Sequence, residues 1–166
     1  TAYEIPKRDW SSDVCSSDLA NRVRCWVKSE DAEVESINFF GEAYSEPFKQ
    51  IRKFYQDLGY ENIKLHNAWL QYGDTKTEMH RHDDGAIRGA PIKQCFTSLL
   101  FCHDHWEDDW GGIFNIDAYN KTIQVSPKPN SFVTWTRDHP HWMTPIVKEC
   151  PLRMFLGTSW YQKDNY

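Results

Sequence analysis

From Ser45 onward the apolar positions recur at three- and four-residue steps: Phe48, Ile51, Phe54 or Tyr55, and Leu58. That spacing places them on one stripe of an α-helix. Pro47 suits the first turn, where its missing N–H costs nothing, and Gly59 suits the end. The pattern predicts an amphipathic helix laid against a sheet, with these aromatics in the core. Beyond Gly59 the period changes to two, as in strands with one buried face. Predicted strands cover residues 63–72, 92–102, 112–116, 122–125, 131–136, 145–148 and 152–160. Turn formers separate them: Gly73-Asp74, Asp83-Asp84-Gly85, Asp108-Asp109, Tyr119-Asn120 and residues 127–130. One helical region followed by many short strands predicts a mostly β fold of the α+β class. The architecture expected is a double-stranded β-helix, a jelly-roll or cupin-like barrel backed by the N-terminal helix.

The last strand carries more detail. Its even positions, Leu152, Met154, Leu156 and Trp160, are large and apolar, while Arg153, Phe155, Gly157 and Ser159 fall between them. If the helix covers the even face, the odd face looks into the space between sheets. A buried arginine there needs an anionic partner.

Composition narrows the class. At 166 residues the chain fits one domain with a real core. Its 40% hydrophobic and 15% aromatic content excludes a disordered chain. A formal charge of -5 with no basic block argues against a nucleic-acid partner, and no apolar run has membrane-spanning length. The five cysteines are odd in number and lack C-x-x-C spacing, which favours thiols in a reducing cytoplasm over a disulfide framework. The chain opens on Thr1 rather than a methionine, so the N-terminus reads as incomplete.

Residues 11–19, Ser-Ser-Asp-Val-Cys-Ser-Ser-Asp-Leu, repeat one triplet and have neither helical nor strand period. All nine resemble the translation of a sequencing-library adapter oligonucleotide, which predicts an assembly artefact and gives Cys15 no functional weight. Residues 1–22 are therefore set apart as an N-terminal segment, and residues 23–166 are expected to form the single domain.

Candidate chemistry centres on histidine. Six of the seven histidines fall in three H-x-H pairs, His80/His82, His103/His105 and His139/His141. In an extended Glu78-to-Gly85 segment, alternate residues share a face, so His80, His82 and Asp84 point the same way. Imidazoles and a carboxylate on one face grip a divalent metal, and His141, just after the predicted strand 131–136, supplies a ligand from elsewhere. Two histidines and one carboxylate on one side of a metal leave positions open, the facial arrangement of iron(II) oxygenases. The pair His103/His105 lies in an acidic loop, residues 104–109, which predicts solvated surface. His139, before Pro140, reads as a turn residue, and Trp106 and Trp110 as rim or core.

The words around these residues resemble the prolyl-4-hydroxylase-like branch of the 2-oxoglutarate/iron(II) dioxygenase superfamily. The matching pieces are His82-Asp83-Asp84-Gly85, then Phe96-Thr97-Ser98-Leu99-Leu100-Phe101, then Trp106 and Trp110-Gly111-Gly112-Ile113-Phe114. Pro127-Lys128-Pro129-Asn130, Phe132-Val133, His141-Trp142-Met143-Thr144-Pro145-Ile146 and Arg153 complete the set. The resemblance runs from about Trp69 to the C-terminus.

It implies His82, Asp84 and His141 as the metal ligands, with Pro145 four residues after His141 as the family has it. It also implies Arg153 as the residue that binds the far carboxylate of 2-oxoglutarate, and Tyr72 as a hydrogen-bond partner of the same co-substrate. Fe(II) and 2-oxoglutarate, with ascorbate as an accessory reductant, are the implied cofactors. The implied reaction couples decarboxylation of 2-oxoglutarate to hydroxylation of a C–H bond in a peptide, such as a prolyl residue, or in a small molecule. Asp84 disfavours a halogenase, since those relatives lack the carboxylate. Two other readings stay open from sequence. One is a cupin-like metal-binding barrel using His80, His82 and His141 without 2-oxoglutarate. The other is a non-enzymatic binding module with a tryptophan platform.

Overall fold

The computed structural model describes residues 22–28, as backbone, and residues 45–87, 89–149 and 153–163. Segment 11–19 and most of the expected N-terminal segment lie outside the described residues. Two antiparallel sheets make up the body. The strands are β1 (Arg22–Lys28), β2 (Ile63–Gly73), β3 (Met79–His82), β4 (Cys95–Phe101), β5 (Phe114–Ala118), β6 (Lys121–Val125), β7 (Phe132–Thr136), β8 (His141–Met143) and β9 (Arg153–Gln162). The larger sheet runs β1-β2-β9-β4-β7 and the smaller β3-β8-β5-β6. This is the jelly-roll arrangement, mostly β, with one α-helix among the described residues, between β1 and β2.

The helix α1 (Ser45–Asp57) buries Phe48, Ile51 and Tyr55. Burying each is worth about 1.5–3 kcal/mol. They pack on Ile63, Leu65 and Ala68 of β2, Phe96 of β4, and Leu156 and Trp160 of β9. Phe54 and Leu58 are the exposed margin of the predicted stripe, at 39% and 59% exposure. Gly59, at φ +94°, reverses the chain so that the Tyr60 N–H reaches the Tyr55 carbonyl at 3.1 Å. Tyr55 anchors the helix through a polar thread. Its hydroxyl bonds Ser98 Oγ at 3.0 Å and Thr134 Oγ1 at 2.6 Å, and burial pushes its pKa up to about 12.

A second core lies between the sheets. Leu99, Phe101, Trp135 and Phe155 of the larger sheet meet Phe114, Ile116 and Ala118 of the smaller. The alternation of β9 separates the two cores: Leu156 and Trp160 face the helix, Phe155 the inter-sheet space. Arg153 shares the inter-sheet side.

Several elements differ from the expected pattern. Residues 92–94 form a 3-10 turn after Pro91, so the strand begins at Cys95. Residues 145–148 form no strand. Pro145 has no N–H for a ladder, and only Ile146 pairs, bridging Gly111. Its N–H and C=O are held by Thr77 O and Lys76 N at 3.1 and 2.8 Å. The three-residue β8 and the four-residue β3 are too short for a period of two to show. β1 pairs with β2 from Arg22 to Lys28. No helix among the described residues is long and apolar enough to cross a membrane.

Candidate active site

β3 and β8 pair antiparallel with His82 directly opposite His141, which brings the two imidazole centroids to 4.4 Å. Asp84, two residues past the end of β3, completes the group. The ligand atoms of His82, Asp84 and His141 all lie within 4.8 Å of one another, close enough to hold a metal ion. Each histidine is turned by a backbone carbonyl two residues earlier. His82 Nδ1 lies 2.7 Å from His80 O, and His141 Nδ1 lies 3.1 Å from His139 O. Donation from Nδ1 leaves both Nε2 lone pairs bare. Both Nε2 atoms stand 3.9 Å from the same oxygen, Asp84 Oδ1. Burial lowers the pKa of His141, outweighing the pull of Asp84 and the His139 carbonyl, and so favours the neutral form a metal requires. His141 is enclosed at 3% exposure while the His82 side chain is 41% exposed, so the cluster opens on the His82 side.

Asp84 is held on every side. Thr97 of β4 donates its hydroxyl to Oδ2 at 2.6 Å. The Asp84 N–H donates to Arg137 O at 3.2 Å, and Arg137 Nη2 donates back to Asp84 O at 2.7 Å. Arg137 also bonds Gly85 O at 2.8 Å and Ser159 Oγ at 2.7 Å. Sequence reasoning singled out neither Thr97 nor Arg137 for this work. An arginine just after a strand, four residues before a candidate ligand, was the signal available.

Behind the cluster a cavity of about 470 Å³, counting the part open to solvent, runs between the sheets. His82, Asp84 and His141 line it at one place and Arg153 at another, with Trp69, Leu99, Phe114, Trp135 and Phe155 among its apolar walls. Arg153 is 3% exposed. Its guanidinium lies over the rings of Phe101 and Phe155, 4.9 and 5.4 Å from their centroids. Two glycines make room. A Cβ on Gly157 would stand 2.1 Å from the Trp69 indole, and one on Gly112 would stand 3.2 Å from Arg153 Cδ and 3.0 Å from Trp106. The Gly111-Gly112 pair therefore admits the arginine side chain besides turning the chain.

The other expected residues fall elsewhere. Tyr72 is absent from the cavity wall; its neighbour Gln71 takes that face, and half-buried Tyr72 pairs across β9 with Met154. The side chain of His80 is exposed and outside the metal cluster, so the register of two histidines from one H-x-H pair is not the one formed. His103 corrects the solvated-surface expectation. It is 6% exposed, against Trp106, while His105 stays on the surface beside Glu107. Trp106 is core, at 7% exposure.

Comparison with known proteins identifies the family and the fold. The family model of the 2OG-Fe(II) oxygenase superfamily matches residues 68–162, more than half of the chain. A Pseudomonas putida prolyl-4-hydroxylase superposes with a TM-score of 0.61 at 18% identity, covering 87% of this chain and 73% of that one. An oxidoreductase of the 2OG-Fe(II) oxygenase family from Burkholderia pseudomallei gives 0.62 at 12% identity, covering 87% and 70%. A prolyl hydroxylase from Trichoplax adhaerens, in complex with a hypoxia inducible factor oxygen degradation domain peptide fragment, gives 0.61 at 16%, covering 92% and 68%. No curated protein matches the chain by sequence.

Proposed function

We propose that this chain, which belongs to the 2OG-Fe(II) oxygenase superfamily, hydroxylates a prolyl residue in a peptide, holding Fe(II) with His82, Asp84 and His141. The chain is an Fe(II)- and 2-oxoglutarate-dependent oxygenase by family. The residues present fit both groups. Two bare imidazole nitrogens and one carboxylate oxygen form the donor set of a facial iron site. Arg153, buried on the same cavity, offers a planar fork that matches a carboxylate. Trp135, in the cavity wall, has a buried Nε1–H with no acceptor among the described residues, which a ligand oxygen would satisfy.

When bound, the iron supplies oxygen activation, driven by conversion of 2-oxoglutarate to succinate and carbon dioxide. The protein's own share is placement. His82 and His141 present their Nε2 atoms because the His80 and His139 carbonyls take the Nδ1 protons. Thr97 occupies Asp84 Oδ2 and so reserves Oδ1 for the metal. Arg153 draws the far carboxylate of 2-oxoglutarate inward, and the apolar walls around it exclude water from the space between. The prime substrate approaches from the His82 side, the exposed edge of the cluster.

The convergence of both Nε2 atoms on Asp84 Oδ1, beside a cavity that also holds Arg153, carries this reading. A peptide substrate is supported by the peptide complex of the Trichoplax adhaerens relative and by the Pseudomonas putida prolyl-4-hydroxylase. Mass spectrometry tests it on a panel of proline-containing peptides incubated with protein, Fe(II), 2-oxoglutarate, ascorbate and oxygen. The expected product is a peptide heavier by one oxygen atom, with the hydroxyl on proline. Succinate formation that leaves every peptide unmodified would overturn the prolyl assignment and direct the search to small molecules.

A further inference from the structure

His103 lies outside the metal cluster and outside the cavity wall, yet it touches the backbone next to Arg153 and one of the two rings beneath its guanidinium. It follows the end of β4, and its ring is 6% exposed. The Met154 N–H donates to His103 Nδ1 at 3.2 Å, on the residue next to Arg153. Nδ1 is therefore bare, and the proton sits on Nε2, which donates to Pro127 O at 2.5 Å. The Met154 carbonyl, 3.1 Å from Nδ1, is taken by the Cys102 N–H at 2.9 Å. The imidazole thus ties the first residues of β9 to the 127–130 turn. Its faces do more. The ring lies 6.0 Å from Phe101 and 5.1 Å from Trp106, centroid to centroid. Phe101 is one of the two rings beneath the Arg153 guanidinium, Phe155 being the other, and Trp106 lies with Arg153 Cδ beside Gly112.

The geometry points to His103 as a positioning residue for co-substrate binding: it fixes the backbone beside Arg153 and packs on Phe101, one of the two rings that aim the guanidinium at the distal carboxylate. This rests on the reading of Arg153 as the carboxylate-binding residue. A ring pinned at both nitrogens orients its neighbours in a way that a packed apolar side chain of similar size does not. An outer partner of this kind acts on affinity while the metal cluster stays intact.

The test compares two ligands that share a 2-oxo acid end and differ in the far carboxylate. 2-Oxoglutarate and 2-oxobutanoate are titrated by calorimetry into anaerobic Fe(II)-loaded protein. Arg153→Leu should erase the preference for 2-oxoglutarate; if that preference survives, the carboxylate reading of Arg153 fails, whatever His103 does. With Arg153→Leu behaving as expected, His103→Ala should weaken 2-oxoglutarate by about 10-fold, the lower range for loss of an outer partner, and leave 2-oxobutanoate and iron binding near the parent. His103→Gln, whose amide carries a carbonyl acceptor and an NH2 donor group, should restore most of the preference. Uncoupled succinate formation should show the same split, with a higher half-saturation for 2-oxoglutarate and an unchanged limiting rate. The inference is overturned if His103→Ala keeps the full preference, if both ligands weaken alike, or if Gln does no better than Ala. Should His103→Ala not fold, His103→Asn, too short to reach both Met154 and Pro127, carries the same expectation.

Discussion

Thr97 donates its hydroxyl to Asp84 Oδ2 over 2.6 Å, and the other oxygen of that carboxylate faces His82 and His141. One carboxylate is thereby split between a structural and a metal-facing oxygen. Thr97→Val keeps the shape and removes the donor, so the carboxylate is free to turn. Iron affinity should fall by roughly 10–100-fold, while Thr97→Ser should stay near the parent. Equilibrium dialysis against Fe(II) under anaerobic conditions measures this. Equal affinity of the Val variant and the parent would remove Thr97 from the account.

Arg137 holds the same loop from the other side, bonding Asp84 O, Gly85 O and Ser159 Oγ. Arg137→Leu leaves those acceptors without their charged donor. The expected loss of stability is about 2 kcal/mol, read from urea denaturation, together with weaker iron binding. Arg137→Lys should recover only part, because one ammonium does not span the spread of acceptors. Unchanged iron binding in the Leu variant would confine Arg137 to a stabilising role.

Some of this was legible in the sequence and some was not, for identifiable reasons. The stripe through Phe48, Ile51 and Tyr55 and the alternation around Arg153 both express one-sided burial over many residues, so their periods survive in the chain. β8 has three residues, and its formation depends on partners far away in sequence. The Pro145-Ile146 pattern looks strand-like because Ile146 is buried, but its bonds go to Thr77 and Lys76 rather than to a ladder. The cluster of His82, Asp84 and His141 was legible as a candidate because an H-x-D spacing and a distant histidine are chemistry written in residue types, while the choice of Asp84 over His80 came from the family resemblance. Tyr72 and Gln71 differ by one position, and one position in a strand exchanges the cavity face for the opposite one. His103 was misread because an acidic loop hides a residue whose bonds are made to backbone at Pro127 and Met154.

His80 separates two possible ligand registers. Its contribution to the site is its carbonyl, which orients His82 and which an alanine retains. His80→Ala should therefore bind iron within a few-fold of the parent, whereas His82→Ala and His141→Ala should lose tight binding. Metal content after anaerobic loading and desalting decides it. Loss of iron in the His80 variant with retention in Asp84→Ala would favour a three-histidine site.

The pH response has a definite sign at His103. Burial, first of all, and the nearby Arg153 charge hold its imidazole below the ordinary value, against the opposing Pro127 and Met154 carbonyls and Asp104. The unfolded chain takes up this proton near pH 6.5, an unperturbed value of about that size being usual, and the folded chain does so only at lower pH. The stability contributed is complete above about pH 6.5 and is lost as pH falls through the folded value. Urea midpoints of His103→Gln should accordingly decline less steeply with acidification than those of the parent. Parallel declines would show that His103 does not titrate differently in the folded chain.

The most direct measurement is visible absorption of the anaerobic protein loaded with one equivalent of Fe(II) and titrated with 2-oxoglutarate. Chelation of the iron by the 2-oxo acid gives a weak charge-transfer band, independent of the prime substrate. The account predicts a saturable band in the parent, its loss in Asp84→Ala through loss of iron, and a shift to higher 2-oxoglutarate concentration in Arg153→Leu. An iron-loaded parent that develops no band at any 2-oxoglutarate concentration would contradict it.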